Sequence, residues 1–232
     1  MAIEDNKPEA IKEFRKQLPS GFSLKVLKTK YPQGGEKQLI KSTLGREVPS
    51  AGLPFDVGVL VQNVGTVFAI YEAVYKNKPL YERVVTVTGS CLNNPGNFLV
   101  RIGTTVRDLI KEGGGLKKEP AKVVFGGPMI GIAQFSLDAP VIKTTSGIIF
   151  FSKDELAVRE ERVCCRCARC IDVCPARIIP AIITIAAEKE KWNIAKDYDV
   201  LDCIECGLCS YVCPAKRDLV HLIKYAKSRV KR

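Results

Sequence analysis

Ten cysteines are the residues of this chain best suited to chemistry, and nine of them fall within fifty positions of the C-terminal half. Two groups of four share the spacing Cys-x-x-Cys-x-x-Cys-x-x-x-Cys, each followed by proline: Cys164, Cys167, Cys170 and Cys174, then Cys203, Cys206, Cys209 and Cys213. Three thiolates at intervals of three residues wrap a short loop around one face of an iron–sulfur cube. The spacing is therefore typical of [4Fe–4S] clusters.

In bacterial ferredoxins with two such motifs, the fourth cysteine of each motif ligates the cluster that the other motif holds. This rule assigns the ligands of each cluster. Cluster one is assigned to Cys164, Cys167, Cys170 and Cys213. Cluster two is assigned to Cys203, Cys206, Cys209 and Cys174. Because each cluster depends on both motifs, we expect the loss of one ligand to damage the whole module.

Zinc is the alternative metal. Zinc sites usually use two Cys pairs separated by a longer loop and have no use for a third cysteine at this tight spacing, so the pattern favours iron–sulfur clusters. Cys165 is a spare thiol beside the first ligand, and an unligated role is expected for it rather than a ligand exchange. Cys91 is expected to be a small buried or half-buried side chain.

Two helices should position the motifs. An apolar stripe from Ile179 to Ala186 predicts a helix over 178–191, and Leu219, Leu222, Ile223 and Ala226 predict another over 218–231. Basic side chains gather at the end of the second helix: Lys224, Lys227, Arg229, Lys231 and Arg232. They form either a solvated helix end or a docking edge for acidic ferredoxin-like partners or anionic lipid. No nucleic-acid motif accompanies them.

The first eighty residues have an α/β pattern. A helix capped by Asp5 or Asn6 is expected to bury Ile11, Phe14 and Leu18, and a short strand follows around Leu24 and Val26. A Gly-rich loop at 34–35 leads into a second helix, 57–61 is expected to be an apolar strand, and Asn63 begins a third helix that runs to about Lys76.

Strands dominate the middle of the chain. The expected strands are 84–87, 97–102, 122–125, a run near Val141 and 148–151, with one helix over 105–112. This order predicts a small mixed sheet packed on one helix, which is a β-grasp-like module.

Composition excludes several classes of protein. The 232 residues are 46% hydrophobic and 26% charged, as in globular proteins, and the net charge is +11. The uncharged run 178–187 is half the length that spans a bilayer, and 1–5 does not resemble the start of a signal peptide. We therefore expect a soluble, cytoplasmic chain whose membrane association is peripheral.

Other candidate sites are weaker. The glycines at 34–35 and 126–127 fit neither the dinucleotide fingerprint nor the P-loop. His221 is the only histidine, and no nucleophilic triad can be assembled around it, so it is expected to be a helix surface or packing residue.

Several blocks of sequence carry a resemblance to a known family: KTKYPQGGEKQLIKSTL at 28–44, GREVPSAGLP at 45–54, VQNVGT at 61–66, GGPMIG at 126–131 and both cysteine motifs. The chain resembles the C subunits of Rnf electron-transport complexes, the ion-translocating ferredoxin:NAD oxidoreductases, over nearly its whole length. The related cobalamin reductase shares the blocks GGEKQL and GREVPSAGLP.

The resemblance implies an α+β chain of three modules. These are a partial α/β flavin- and NADH-binding-like domain at 1–80, a β-grasp (soluble ligand-binding) module at 81–152 and a ferredoxin-like α-helical domain with two [4Fe–4S] clusters at 153–232. It also implies that Gly34, Gly35, Glu36 and Asn63 form part of the wall around FMN and NADH. Family members carry a further Gly-rich flavin loop in a longer N-terminal region, and these 232 residues contain no such loop.

The function implied is electron transfer through two [4Fe–4S] clusters, as an electron-carrying part of an oxidoreductase rather than a complete enzyme alone. The implied partners are other subunits of a membrane complex and ferredoxin-like carriers, at the cytoplasmic face of the membrane. Two alternatives are a stand-alone flavin and iron–sulfur reductase similar to cobalamin reductase, and an assembly module in which the clusters only stabilise the fold.

Overall fold

The computed structural model describes residues 1–156 and 160–230. Contacts divide the chain into two compact units. Unit 1 consists of 1–61, 166–212 and the segment from 218 onward, and unit 2 consists of 62–165 and 213–217. The division falls inside the first cysteine motif. Both units mix helices and strands, which confirms a mixed α/β chain.

The elements are, in chain order, β1 (Ala2–Glu4), α1 (Pro8–Gln17), β2 (Lys25–Leu27), α2 (Glu36–Leu44), α3 (Val64–Lys76), β3 (Glu82–Thr88), β4 (Gly96–Arg101), α4 (Val106–Glu112), β5 (Lys122–Phe125), β6 (Ile132–Gln134), β7 (Gly147–Phe151), α5 (Arg169–Asp172), α6 (Pro180–Glu188), α7 (Trp192–Asp197), α8 (Leu208–Val212) and α9 (Leu219–Arg229).

Unit 2 is built on a five-stranded mixed sheet in the order β4-β3-β7-β5-β6. Strand β3 runs parallel to β7 and antiparallel to β4, and β5 runs antiparallel to both of its neighbours. Alternate side chains such as Val85, Val87 and Phe150 point into one core, where they meet Val106 and Leu109 of α4. The expected mixed sheet packed on one helix is confirmed.

Two details of that sheet differ from the sequence prediction. The run near Val141 is not a strand, although Pro140 forms an isolated bridge with Thr105. The strand β6 is not predicted, because its three residues are too few to show a periodic pattern.

Unit 1 begins with a β-α-β unit in which β1 and β2 lie parallel and α1 connects them. Ile11 of α1 is buried, as predicted, whereas Phe14 and Leu18 are only half-buried. The predicted cap is wrong: Lys7 precedes the helix, while the carboxylate of Asp5 accepts hydrogen bonds from the backbone N–H and the hydroxyl of Thr29. The expected strand at 57–61 is also wrong, because Pro54 begins a 3-10 turn that ends at Val57.

The helices of unit 1 form the support for the second cysteine motif. Helix α6 packs against α9 through Ile183, Ala186 and Ile223, which are almost completely buried. Both helices lie within their predicted ranges; Lys231 and Arg232 lie outside the described residues. Trp192 of α7 meets Tyr225 of α9 edge to face, with ring centroids 5.3 Å apart.

Across residues 1–156 and 160–230, the helices are all too short or too polar to cross a membrane.

Gly89 provides a test of the unit 2 fold. Its φ is +129°, and a Cβ there would lie 2.1 Å from the carbonyl oxygen of Phe150. Gly103 also has a positive φ, of +98°, but a Cβ there would meet nothing within 4 Å. Gly103→Ala should cost about 1–2 kcal/mol of unfolding free energy from backbone strain alone. Gly89→Ala should cost at least about 2 kcal/mol more, because the clash displaces strand β7.

Denaturant unfolding followed by circular dichroism measures both changes, with Gly103→Ala as the matched control. Equal losses for the two variants would show that the close approach to Phe150 does not constrain the fold.

Candidate metal centre

Four cysteines of unit 1 line one apolar pocket: Cys174, Cys203, Cys206 and Cys209. The last of these is carried by the short helix α8, and the others lie on loops. Ile178 and Ile223 form part of the wall of the pocket. These are the four cysteines that the sequence assigns to cluster two, so the chain brings the fourth cysteine of the first motif to the second motif.

The backbone of the second motif aims its amides at the thiols. Glu205 and Gly207 have positive φ, +58° and +80°, so left-handed residues alternate with the cysteines. The backbone N–H of Glu205 donates to Sγ of Cys203 at 3.3 Å, and the backbone of Leu208 hydrogen-bonds the thiol of Cys206. Successive N–H groups in such alternating conformations form an anion-binding concavity.

The first motif repeats this backbone pattern. Arg166 and Ala168 occupy the positions that Glu205 and Gly207 occupy in the second motif, and their φ values are +57° and +62°. The match extends beyond the fourth cysteines, because Arg177 and Lys216, each three residues further on, have φ of +56° and +54°. Helix α5, which carries Cys170, packs against α8. The two motifs therefore place left-handed residues at the same three positions relative to their cysteines.

Burial determines the electrostatics of the second motif. Desolvation raises the pKa of Cys203 to about 11 and that of Cys209 to about 12, and it also raises the pKa of Cys206. The thiolate is the form that binds metal, and burial in apolar surroundings disfavours it until a cation compensates the charge. The pocket thus fits a cationic metal group that binds several thiolates together.

Among residues 1–156 and 160–230, no three His, Cys, Asp or Glu side chains stand close enough to hold a single ion. The type of metal group is indicated by the sequence instead: three cysteines at intervals of three residues, with a fourth followed by proline, have the spacing of [4Fe–4S] ligands.

The cysteines assigned to cluster one are divided between the two units. Cys164 and Cys213 belong to unit 2, whereas Cys167 and Cys170 belong to unit 1. Within unit 2, the backbone N–H of Arg162 donates to the carbonyl of Ala215 at 2.9 Å, two residues from Cys164 and from Cys213 respectively. That bond holds the segments of these two cysteines together. Cys165 is exposed and Cys91 is buried in the core of unit 2.

Sequence reasoning missed the role of Lys227, which it placed among the basic residues at a helix end. Its ammonium donates to the carbonyl of Cys203 at 2.9 Å and to the carboxylate of Glu205 at 2.6 Å. Lys224 lies 3.6 Å from the other oxygen of that carboxylate. About twenty residues separate these lysines from Glu205 in the chain, so only the packing of α9 beside the loop reveals the contact.

The N-terminal segment also holds the second motif. The phenol of Tyr31 donates to the carbonyl of Cys206 at 2.7 Å, and burial raises the pKa of Tyr31. The carboxylate of Asp202 accepts from the hydroxyl of Ser50 at 2.6 Å and from the N–H of Ala51 at 2.9 Å. Burial alone would raise the pKa of Asp202, but these bonds and the charge of Lys37 outweigh it and hold the pKa below its usual value.

The four residues expected near a flavin lie at the N-terminal ends of two helices, α2 and α3. Gly35 precedes α2 without a side-chain cap, and a Cβ there would meet Oε1 of Gln38 at 2.7 Å. Gly34 faces open space, and Glu36 is exposed in the first turn of α2. Asn63, in unit 2, caps α3 by accepting the N–H of Gly65 at 2.9 Å. Uncapped amides at the start of α2 fit a polar ligand atom, but Asn63 already has a structural role.

Three family models match successive parts of the chain. The Nuo51 FMN-binding domain matches residues 1–72, the SLBB domain matches 84–133 and the 4Fe-4S dicluster domain matches 156–217. The last of these matches contains all eight cysteines of the two motifs.

Curated relatives extend the comparison to the whole chain. The C subunit of the proton-translocating ferredoxin:NAD(+) oxidoreductase complex of Clostridium ljungdahlii is 49% identical over 231 residues, which is 98% of this chain and 50% of that relative. The C subunit of the Na(+)-translocating complex of Acetobacterium woodii is 44% identical over 232 residues, 99% of this chain and 52% of that relative.

A third relative has a more general name. It is the C subunit of an ion-translocating oxidoreductase complex of Yersinia pseudotuberculosis, which is 44% identical over 205 residues, 87% of this chain and 29% of that relative. The chain spans about half the length of the first two relatives and less than a third of the last. Over the part that it aligns, the chain belongs to the family of C subunits of the Rnf-type ion-translocating ferredoxin:NAD(+) oxidoreductase complexes.

Proposed function

We propose that this chain transfers electrons through two [4Fe–4S] clusters as the C subunit, or a part of it, of an Rnf-type ferredoxin:NAD oxidoreductase complex. One observation carries the proposal: Cys174 lies with Cys203, Cys206 and Cys209 around a single apolar pocket. That grouping supports the crossed ligation known from two-cluster proteins. The names of the relatives supply the complex.

Residues of unit 1 hold the second cluster through thiolate ligands, amide hydrogen bonds and apolar contacts. The four cysteines supply thiolate ligands, and the amides of Glu205 and Leu208 donate hydrogen bonds to sulfur. A bound [4Fe–4S] cluster supplies one-electron chemistry at a potential that hydrogen bonds, net charge and exposure set. Ile178 and Ile223 keep part of the pocket wall apolar and so exclude water from it.

Cluster one is proposed on Cys164, Cys167, Cys170 and Cys213. The support is the repeated left-handed pattern at Arg166 and Ala168, and the backbone bond that holds the segments of Cys164 and Cys213 together. The shared backbone conformation of the two motifs favours two clusters of the same type.

The remaining parts of the proposal are the module boundaries and the flavin wall. We assign a partial flavin-binding α/β module to 1–80, a β-grasp-like module to 81–152 and the two-cluster module to 153–232; the family matches at 1–72, 84–133 and 156–217 support this order. Gly34, Gly35, Glu36 and Asn63 are proposed to contribute contacts to FMN or NADH only together with further polypeptide. The place proposed for the chain is peripheral, at the cytoplasmic face of the membrane.

The alternative of a stand-alone reductase similar to cobalamin reductase is not favoured, because the relatives are named as subunits of complexes. Partners in the proposed role are other subunits of the complex and ferredoxin-like carriers.

Crossed ligation predicts which pairs of substitutions act together. Cys174→Ala should remove the cluster that it ligates and loosen the rest of the module without emptying the other site, and adding Cys206→Ala should remove no further iron, because both cysteines serve the same cluster. Cys174→Ala combined with Cys167→Ala should remove the second half of the iron as well. Iron per chain and electron paramagnetic resonance after anaerobic reconstitution measure this.

The matched control is Cys165→Ser, which should keep all the iron, since Cys165 is exposed and unassigned. If the Cys174 and Cys167 double variant keeps as much iron as the Cys174 single variant, the ligation is not crossed.

The contacts of Lys227 lead to a prediction about the reduction potential of the cluster on the loop of Cys203. Lys227→Met removes a cation that contacts the carbonyl of Cys203 and leaves the carboxylate of Glu205 with less compensation. The more negative surroundings should lower the potential of the cluster on that loop by tens of millivolts, with iron content unchanged. Redox titration followed by paramagnetic resonance measures the shift, and Lys196→Met on the exposed side of α7 is the control. A potential equal to that of the control variant would contradict the assignment.

The proposed function itself is tested by anaerobic reduction of the purified, cluster-loaded chain. Dithionite should bleach the visible absorbance of the clusters, whereas NADH alone should not, because these 232 residues contain no Gly-rich flavin loop. Bleaching by NADH would instead show a working hydride site within the chain. Absorbance unchanged by either reductant would contradict electron transfer.

A further inference from the structure

A cavity of unit 1 lies beside the pocket of the second cysteine motif. Its volume is about 690 Å³, and all of its lining residues belong to unit 1. Pro175, Ala176 and Ile204 line both the cavity and the cysteine pocket, so the two share a wall. The lining of the cavity does not include the residues proposed near FMN and NADH, which are Gly34, Gly35, Glu36 and Asn63.

Three cationic side chains line this cavity. Lys37 and Lys41 belong to α2 and lie four residues apart, so they share one side of the helix. Arg177 comes from the turn after the first cysteine motif and adds its guanidinium to the same cavity. The hydroxyl-bearing residues Ser42 and Ser50 also line it. Ammonium, guanidinium and hydroxyl donors are the side-chain groups that bind phosphate in proteins.

One of the two carboxylates in the lining already has its partners. Asp202 accepts hydrogen bonds from the hydroxyl of Ser50 at 2.6 Å and from the N–H of Ala51 at 2.9 Å. The ammonium of Lys37 lies 3.9 Å from Asp202, beyond hydrogen-bond distance, and donates to the carbonyl of Pro49 at 3.4 Å. An ammonium has three donors, so Lys37 retains the capacity to bind a further acceptor.

The other carboxylate shows that the mouth of the cavity attracts an anion. The ammonium of Lys41 donates to the carboxylate of Glu47 at 2.8 Å. This hydrogen bond and the charge of Lys41, together with the charge of Arg177, hold the pKa of Glu47 below its usual value. The side chain of Glu47 is 80% exposed, and an ion pair this exposed contributes little to stability. A more highly charged anion can therefore replace Glu47.

We infer that the cavity is a binding site for a multivalent phosphate group, separate from the residues proposed near FMN and NADH. Lys41 and Arg177 bind the phosphate in place of Glu47, and Lys37 binds it from the wall. The volume leaves room for a group attached to the phosphate. The source of the phosphate is either a free diphosphate or a nucleotide, and the experiment below separates the two.

The shared wall couples this site to the second cluster. A bound anion beside the cluster disfavours the addition of an electron, so phosphate binding lowers the reduction potential of that cluster. By linkage, reduction of the cluster weakens phosphate binding by the same factor. This coupling rests on the proposed function, whereas the binding itself does not.

The binding test is a calorimetric titration of the oxidised, cluster-loaded chain with pyrophosphate and, separately, with ADP. About 0.15 M salt screens the general attraction of anions to a chain of net charge +11. The expected result is one diphosphate per chain, with the two compounds competing and with adenosine failing to bind. Tighter binding of ADP identifies a nucleotide as the source, and tighter binding of pyrophosphate identifies a free diphosphate; each supports the site.

Charge variants locate the site within the cavity. Lys41→Met and Arg177→Met should each weaken diphosphate binding at least about 10-fold, as expected for the loss of a charged donor. Glu47→Gln should tighten binding several-fold, because it removes the competing carboxylate. A loss of folding does not tighten binding, so this opposite effect separates the site from misfolding. Lys196→Met, on the exposed side of α7, is the matched control and should leave the affinity unchanged.

Redox titration followed by paramagnetic resonance tests the coupling. Saturating pyrophosphate should lower the potential of the cluster on the loop of Cys203, and Arg177→Met should abolish this shift. Failure of the electron-transfer proposal would leave the calorimetric result unchanged, so the two failures are distinguishable.

Three outcomes would overturn the inference. One is the absence of diphosphate binding to the chain. Another is an equal loss of affinity in Lys196→Met and Arg177→Met, which would show general attraction to a basic surface. The third is the displacement of pyrophosphate from the cavity by FMN, which would make the cavity part of the flavin site.

Discussion

The second cysteine motif has to hold several desolvated sulfur atoms around one pocket. The neighbouring helices and loops of unit 1 provide the contacts that make this possible. Burial alone raises the pKa of Cys203 and Cys209 well above their ordinary values. The structure compensates with backbone N–H groups aimed at sulfur and with a lysine beside the loop, while apolar residues of α9 and of the segment before α6 close the pocket. Each of these groups favours negative charge on sulfur or excludes water, so they act together on the same loop.

Spacing in the sequence is enough to locate this centre, because ligand geometry is local. Three cysteines at intervals of three residues wrap one small object, and the fourth is assigned by rule to the other motif. The left-handed residues are not predictable, since only Gly207 among them is a residue type that favours positive φ; Arg166, Ala168 and Glu205 adopt that conformation because the loop requires it. The contacts of Lys227, Tyr31 and Asp202 escape sequence reasoning because their partners are remote in the chain.

The fold can be predicted where apolar residues recur along the sequence at the period of a helix or a strand. The helices α3, α6 and α9 and the strands β3, β5 and β7 have strong patterns and lie where expected, whereas β6 is too short and the apolar run 57–61 turns instead of extending. Helix α3 shows that such a pattern predicts a helix even where no residue of the helix is buried.

The proposed crossed ligation would affect how long the folded module persists. If Cys174 and Cys203 ligate one cluster, that cluster is a covalent cross-link across roughly 30 residues, and by analogy with a disulfide such a loop would restrict the unfolded chain by about 3–4 kcal/mol. Helices α6 and α7 lie between these two cysteines. Iron binding and folding would then be one equilibrium: a chain made without iron would have the same helices to assemble but would lack the cross-link that limits their unfolding.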